Sequence, residues 1–172
     1  MINTKELAIL TNLNAAIWGT FLFPRMLNAK GVETPFIASD APDAEQLIQD
    51  WYIKTSKVVP FRFYAFPEVL ERDGRTQTPL HYQTLFAPKN PRKFMRVAQR
   101  KWDKLLRNRF PNARHHRESL WLEWIDRNDV EKIDLPEFYC LKQQDIDWNW
   151  NHRLTDEMVK PMDKSNRKKI AA

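Results

Sequence analysis

The apolar residues of this chain switch period along its length, and prolines stand at the switches. Ala15 to Phe23 (AAIWGTFLF) is a short aromatic run closed by Pro24, the pattern of a buried strand. Ser39 and Asp40 can cap a helix with Pro42 in its first turn. Ala44, Leu47, Ile48, Trp51 and Tyr52 then recur at i, i+3, i+4, i+7 and i+8, which is one apolar stripe on a helix. After Pro60, Phe61 to Val69 (FRFYAFPEV) and Leu80 to Ala87 (LHYQTLFA) read as two strands around Asp73-Gly74, a dipeptide favoured in hairpin turns. Asn90-Pro91 opens a second helix, which runs to Arg109 with a stripe of Phe94, Val97, Ala98, Trp102, Leu105 and Leu106. Ser119 to Ile125 (SLWLEWI) is a further strand. Asp134 and Glu137, at capping-box spacing with Pro136 between them, open a last helix from Leu135 to Asp145. The order is strand, helix, strand, strand, helix, strand, helix. It predicts an α+β sandwich in which helices pack against a sheet.

The 172 residues suit one domain, expected over 1–150, followed by a basic tail or linker over 151–172 that carries Lys164, Arg167, Lys168 and Lys169. Aromatics are 12% of the chain, enough to pack a core without help from disulfides. The single cysteine, Cys140, excludes a disulfide framework and a thiolate zinc cage. Three glycines cannot build a glycine-rich phosphate loop, so a complete ATPase or helicase is excluded. No apolar run approaches the length of a membrane span. Met1 to Leu10, with Lys5 and Glu6, does not read as a signal peptide. The expectation is an intracellular protein with no membrane partner.

Charge is concentrated. Lys89 to Arg117 holds eleven Lys/Arg against one acid, Asp103, a local +10 in a chain of net +6. A clustered positive field of this kind suits a polyanion such as nucleic acid.

Two short segments carry chemistry. On the strand after Gly74, His81, Gln83 and Leu85 share one face, and Tyr82, Thr84 and Phe86 share the other. An imidazole nitrogen and an amide oxygen two residues apart can converge on one metal ion, and Glu68, ending the neighbouring strand, can add a carboxylate. One nitrogen and two oxygens, with positions left for water and phosphate, suit Mg²⁺ or Mn²⁺. On the last helix, Tyr139, Lys142 and Gln143 project to one side. A tyrosine hydroxyl can attack phosphorus and hold it covalently. Its ordinary pKa of about 10 calls for a metal to activate the phosphate, and Lys142 can neutralise charge there.

Together, the His-hydrophobic-Gln strand and the Tyr-x-x-Lys helix resemble the HUH endonuclease superfamily in its HUQ variant. The likeness is to the single-tyrosine rolling-circle replication initiators (Rep proteins) of small circular single-stranded DNA viruses and plasmids. Gly74 to Gln83 (GRTQTPLHYQ) looks like their second motif, Phe138 to Lys142 (FYCLK) like their third, and Ala15 to Phe23 takes the place of their first. The resemblance spans 15–145. It implies an RRM-like fold with a central antiparallel β-sheet flanked by helices. It also implies Tyr139 as nucleophile with Lys142 as its partner, and His81, Gln83 and an acid, Glu68 or the competing Glu71, as metal ligands. The implied cofactor is Mn²⁺ or Mg²⁺, and the implied partner a single-stranded DNA origin presented on a stem-loop. The implied activity is nicking of that origin through a 5′-phosphotyrosine, with joining as the reverse, in a bacterial cytoplasm or a host nucleus. Three features depart from the pattern that the resemblance implies: Thr84 stands where many viral relatives have glycine, the basic helix between the motifs is long, and no helicase domain is read after them.

Two other readings compete. Tyr139 with Gln143 at i+4 also fits the Tyr-x-x-x-Gln pattern of single-tyrosine transposases of the same superfamily, although Gln83 replaces their second histidine. A non-catalytic nucleic-acid-binding module needs only the basic surface and aromatics. Trp148 and Trp150 can stack on bases or close the core, and Arg62 and Tyr64 can lie along a DNA path. His115 and His116 fit a solvated basic loop. Trp121 and Trp124 fall on opposite faces of one strand.

Overall fold

The computed structural model describes residues 4–70, 75–128, 136–141 and 150–159. Its centre is a five-stranded sheet of order β6-β1-β5-β4-β7, antiparallel at every pairing. The strands are β1 (Ile17–Leu22), β4 (Phe61–Leu70), β5 (Gln77–Pro88), β6 (Leu120–Trp124) and β7 (Leu154–Thr155). A small ribbon of β2 (Met26–Leu27) and β3 (Glu33–Thr34) leaves the end of β1. Among the described residues, the helices are α1 (Thr4–Leu13), α2 (Ala41–Ser56), α3 (Pro91–Arg109) and α4 (Pro136–Leu141). The α+β class, with an antiparallel sheet flanked by helices, is therefore as the sequence predicts. The helices cover both faces of the sheet.

On one face, α2 and α3 bury their stripes against Ile17, Phe21, Phe63, Tyr82 and Phe86. This layer is built from aromatic rings in edge-to-face contact, with Phe21 against Trp51, Trp102 and Phe86. The two buried indoles keep their N–H groups satisfied, Trp51 donating to the Ala98 carbonyl and Trp102 to that of Ser119, each at 3.0 Å. Gly19 of β1 faces this layer. A Cβ there would lie 2.8 Å from Phe86 and Leu122 and 2.9 Å from the Trp121 carbonyl oxygen, so close packing requires glycine. Asn90 caps α3 by accepting from the Lys93 N–H at 3.0 Å, and Pro91 follows at the first position, as its sequence signal indicates.

On the other face, Leu10 and Leu13 of α1 and Cys140 and Leu141 of α4 pack on Phe66 and Leu85. Helix α1 was not expected. It ends at Asn14, whose φ of 51° is one that asparagine tolerates at a helix C-terminus. Strand β7 also lies beyond the expected limit of the domain. Leu154 and Thr155 pair with Ala65 and Tyr64, and Asp156 accepts the Phe63 N–H at 2.9 Å. The segment 150–159 thus belongs to the fold and is no tail. Because β7 is only two residues long, β4 is an edge from Phe66 onward, where Pro67 is tolerated. Lys164 to Lys169, Asp134 and the Asp73-Gly74 turn lie outside the described residues.

Candidate functional site

The β4–β5 ladder sets Glu68 directly opposite His81, and Phe66 opposite Gln83. Residues opposed in an antiparallel ladder project to the same face. Three sequence-nominated groups therefore meet on the α1/α4 side of the sheet. His81 Nε2 lies 2.8 Å from Glu68 Oε2, and Gln83 Nε2 lies 3.5 Å from the same oxygen. The Glu68 side chain is 3% exposed and that of His81 19%, so the pair sits at the lip of the protein, carboxylate inward. A register shift between Glu68 and Leu70 ends the regular ladder just beyond it. Glu71, the competing acid, lies outside the described residues.

Both nitrogens of His81 face oxygen acceptors, since Nδ1 is 3.0 Å from the Pro79 carbonyl. Two oxygen neighbours favour the protonated form of the ring. Burial pushes the His81 pKa down, but the Glu68 hydrogen bond, the Pro79 hydrogen bond and the carboxylate charge outweigh it, and the net shift is upward. The short Nε2–Oε2 gap is the position a cation would take between imidazole and carboxylate. The Nδ1–H bond to a backbone carbonyl is the outer contact that orients a ligating histidine.

Gln83 differs from the sequence reading, which directed its amide oxygen at the metal. That oxygen accepts from Trp18 Nε1 at 3.0 Å and Thr20 Oγ1 at 2.9 Å. An indole N–H is donor-only, which fixes the amide orientation. The NH₂ group therefore faces Glu68. The residues present fit a divalent ion held by His81 Nε2 and Glu68, the sparse protein ligation that Mg²⁺ and Mn²⁺ accept when phosphate and water complete the shell. Gln83 joins that set only if its amide turns over and releases Trp18 and Thr20. Among the described residues, no group of three His, Cys, Asp or Glu side chains is placed to hold a metal.

Tyr139 stands on α4, on this same sheet face. Its ring is half-buried and tilted against Trp18, centroids 5.2 Å apart. Trp18 thus touches the tyrosine with its ring and Gln83 with its N–H. Lys142 and Gln143, the other helix candidates, lie outside the described residues. Glu137, read as half of a capping box with Asp134, is 2% exposed. It accepts from Arg127 at 2.6 Å, and Arg127 also donates to the Ala15 carbonyl at 2.7 Å. This pair, with the carboxylate buried and the arginine exposed, ties the start of α4 to the entry of β1 and so fixes the helix that carries Tyr139. Trp18, Thr20 and Arg127 are the residues that sequence reasoning missed.

Other nominated residues serve the fold. Trp150 stacks on Phe66 with Arg153 over its ring, closing the core; Trp148 lies outside the described residues. Arg62 pairs with Asp156 and Glu157, anchoring the C-terminal segment. Tyr64 packs against the α1/α4 cluster. His115 and His116 each place Nε2 against a backbone carbonyl, of Phe110 and Phe23. They line an open polar cavity of about 330 Å³ with Arg25, Glu33 and Arg114. The basic helix α3 buries its apolar stripe on the α2 side, so its Lys and Arg residues lie on the layer away from Glu68 and His81. No protein-family model, curated protein or solved structure matches this chain.

Proposed function

We propose that this chain is a divalent-metal-dependent enzyme that nicks and joins single-stranded DNA at a replication origin through a covalent 5′-phosphotyrosine, initiating rolling-circle replication in the manner of a single-tyrosine HUH endonuclease. The observation that carries the reading is the shared face. Glu68, His81 and Gln83 meet at one point of the sheet, and Trp18 connects Gln83 to the ring of Tyr139. A nucleophile and a cation site are useful to each other only at the same phosphodiester.

In the proposed reaction the Tyr139 oxygen attacks the scissile phosphorus. The new O–P bond holds the segment downstream of the nick on the enzyme through its 5′ phosphate, and the P–O3′ bond breaks. The phenolic proton departs to solvent and the 3′ oxygen gains one, leaving a free 3′ hydroxyl to prime synthesis; joining runs the steps backward. Mg²⁺ or Mn²⁺, when bound, supplies Lewis-acid polarisation of the phosphate. His81 and Glu68 hold that ion, and Gln83 steadies the Glu68 carboxylate through its NH₂ group. Lys142 belongs to the proposal as the partner of Tyr139 by its place in the motif. The basic face of α3, on the opposite layer, acts as a long-range attractor that raises the encounter rate with a polyanion.

That same placement favours one second reading. A non-catalytic nucleic-acid-binding module would use the α3 surface alone and leave the Glu68–His81 pair as a structural ion pair. Incubating the protein with a labelled random pool of single strands and Mn²⁺, then recovering strands that partition with denatured protein, separates the two. Strands retained after boiling in detergent support the nickase. A pool that binds and then dissociates completely supports the module.

A further inference from the structure

We propose that Trp121 is a stacking platform for an unpaired base of the strand whose backbone enters the Glu68–His81 site. The inference rests on the nucleic-acid reading above and extends it to a second point of contact. Trp121 lies on β6, the outermost strand of the sheet on that side. Cross-strand pairing sets it in one row with Thr20, Gln83 and Phe66, so it projects from the same face as the site. Two inter-strand steps separate it from Gln83, about 10 Å, a span that a dinucleotide can bridge.

The ring is 40% exposed although it is held in place. Its neighbour Trp18 meets it edge to face, centroids 6.0 Å apart at 82°. Trp18 is itself fixed by its hydrogen bond to Gln83 and by the Tyr139 ring. Trp121, Trp18 and Tyr139 thus form a continuous aromatic line from the sheet edge to the proposed nucleophile. An indole already immobilised loses little rotamer freedom on binding, and its open π-face accepts any base. The placement suits gripping a strand without reading its sequence. Trp124, 51% exposed, projects from the opposite face and is excluded from this role by the same register.

The test uses fluorescence anisotropy with a fluorescein-labelled, mixed-sequence single strand in EDTA, where cleavage is suppressed. Trp121→Ala is expected to weaken binding by about five- to one-hundred-fold, the range for losing one stacked base. Trp121→Phe is expected to recover most of that loss, and Trp124→Ala to bind as the unaltered protein. Equal affinity of Trp121→Ala and the unaltered protein would overturn the proposal. So would a loss accompanied by a change in sedimentation from dimer to monomer, which would make this edge an interface between copies of the chain. The assay needs neither metal nor Tyr139. Trp121-dependent binding without any covalent capture would defeat the nicking reading alone, and covalent capture with Trp121-independent binding would defeat this one alone.

Discussion

His81 Nε2 and Glu68 Oε2 face each other at 2.8 Å across adjacent antiparallel strands, with the carboxylate 3% exposed. A buried carboxylate hydrogen-bonded to an imidazole is costly to deprive of that partner. The fold keeps this pair where an apolar pair would also pack, which is the ground for giving it a task beyond cohesion.

That arrangement makes the two partners unequal under mutation. His81→Ala removes a hydrogen-bonded partner from the nearly buried Glu68 carboxylate and is expected to lower stability by about 3 kcal/mol. Glu68→Gln keeps an acceptor of similar shape for His81 and is expected to cost no more than about 1.5 kcal/mol. Both should lose cation binding. Urea unfolding measures the first difference, and Mn²⁺ titration by calorimetry the second.

Trp18→Phe keeps an aromatic ring between Trp121 and Tyr139 but deletes the donor to Gln83. With Thr20 as its remaining donor, the amide can rotate, and stability should fall by about 1 kcal/mol. If the nicking site depends on Gln83 orienting Glu68, covalent capture of DNA should fall about tenfold, a loss of about 1.4 kcal/mol of transition-state stabilisation. Timed quench of the capture reaction reads this. An unchanged rate would confine Trp18 to packing.

The main strands and the two long helices were legible because their signals are local. Proline and asparagine mark the ends, and the apolar spacing of Phe94 to Leu106 or the alternation of Leu80 to Phe86 needs no knowledge of the rest of the chain. Helix α1 escaped notice because its burial comes from Leu10 and Leu13 packing on Cys140 and Leu141, partners far along the sequence. Strand β7 has two residues, too few for any period. The convergence of Glu68 and His81 followed from a hairpin register. The orientation of Gln83 did not, because its oxygen is claimed by Trp18 and Thr20, 65 and 63 residues away. The contact of Glu137 with Arg127 was not legible either, because it is set by how the chain returns to β1.

The ribbon of β2 and β3 supplies a pH test. Glu33 bridges Arg114 and Arg25. The Arg114 hydrogen bond, opposed by partial desolvation and aided by the charges of both arginines, holds the Glu33 pKa below its ordinary 4.5. A depressed folded pKa means that the unfolded chain takes up the proton first. The contribution is therefore fully present above 4.5 and is lost as pH falls through the lower folded value. Glu33→Gln should lower the thermal midpoint at neutral pH and leave it level with the unaltered protein in acid. A constant difference across that range would contradict the assignment.

The most direct test of the central claim is the mass of the peptide that contains Tyr139, taken after the protein has reacted with single-stranded DNA and Mn²⁺ and the attached strand has been trimmed by nuclease. The account predicts a nucleotide joined by a phosphoester to Tyr139, absent in EDTA and absent in Tyr139→Phe, which should still fold and still bind the strand. A strand attached elsewhere, an attachment that persists in Tyr139→Phe, or no attachment under any of these conditions would contradict it.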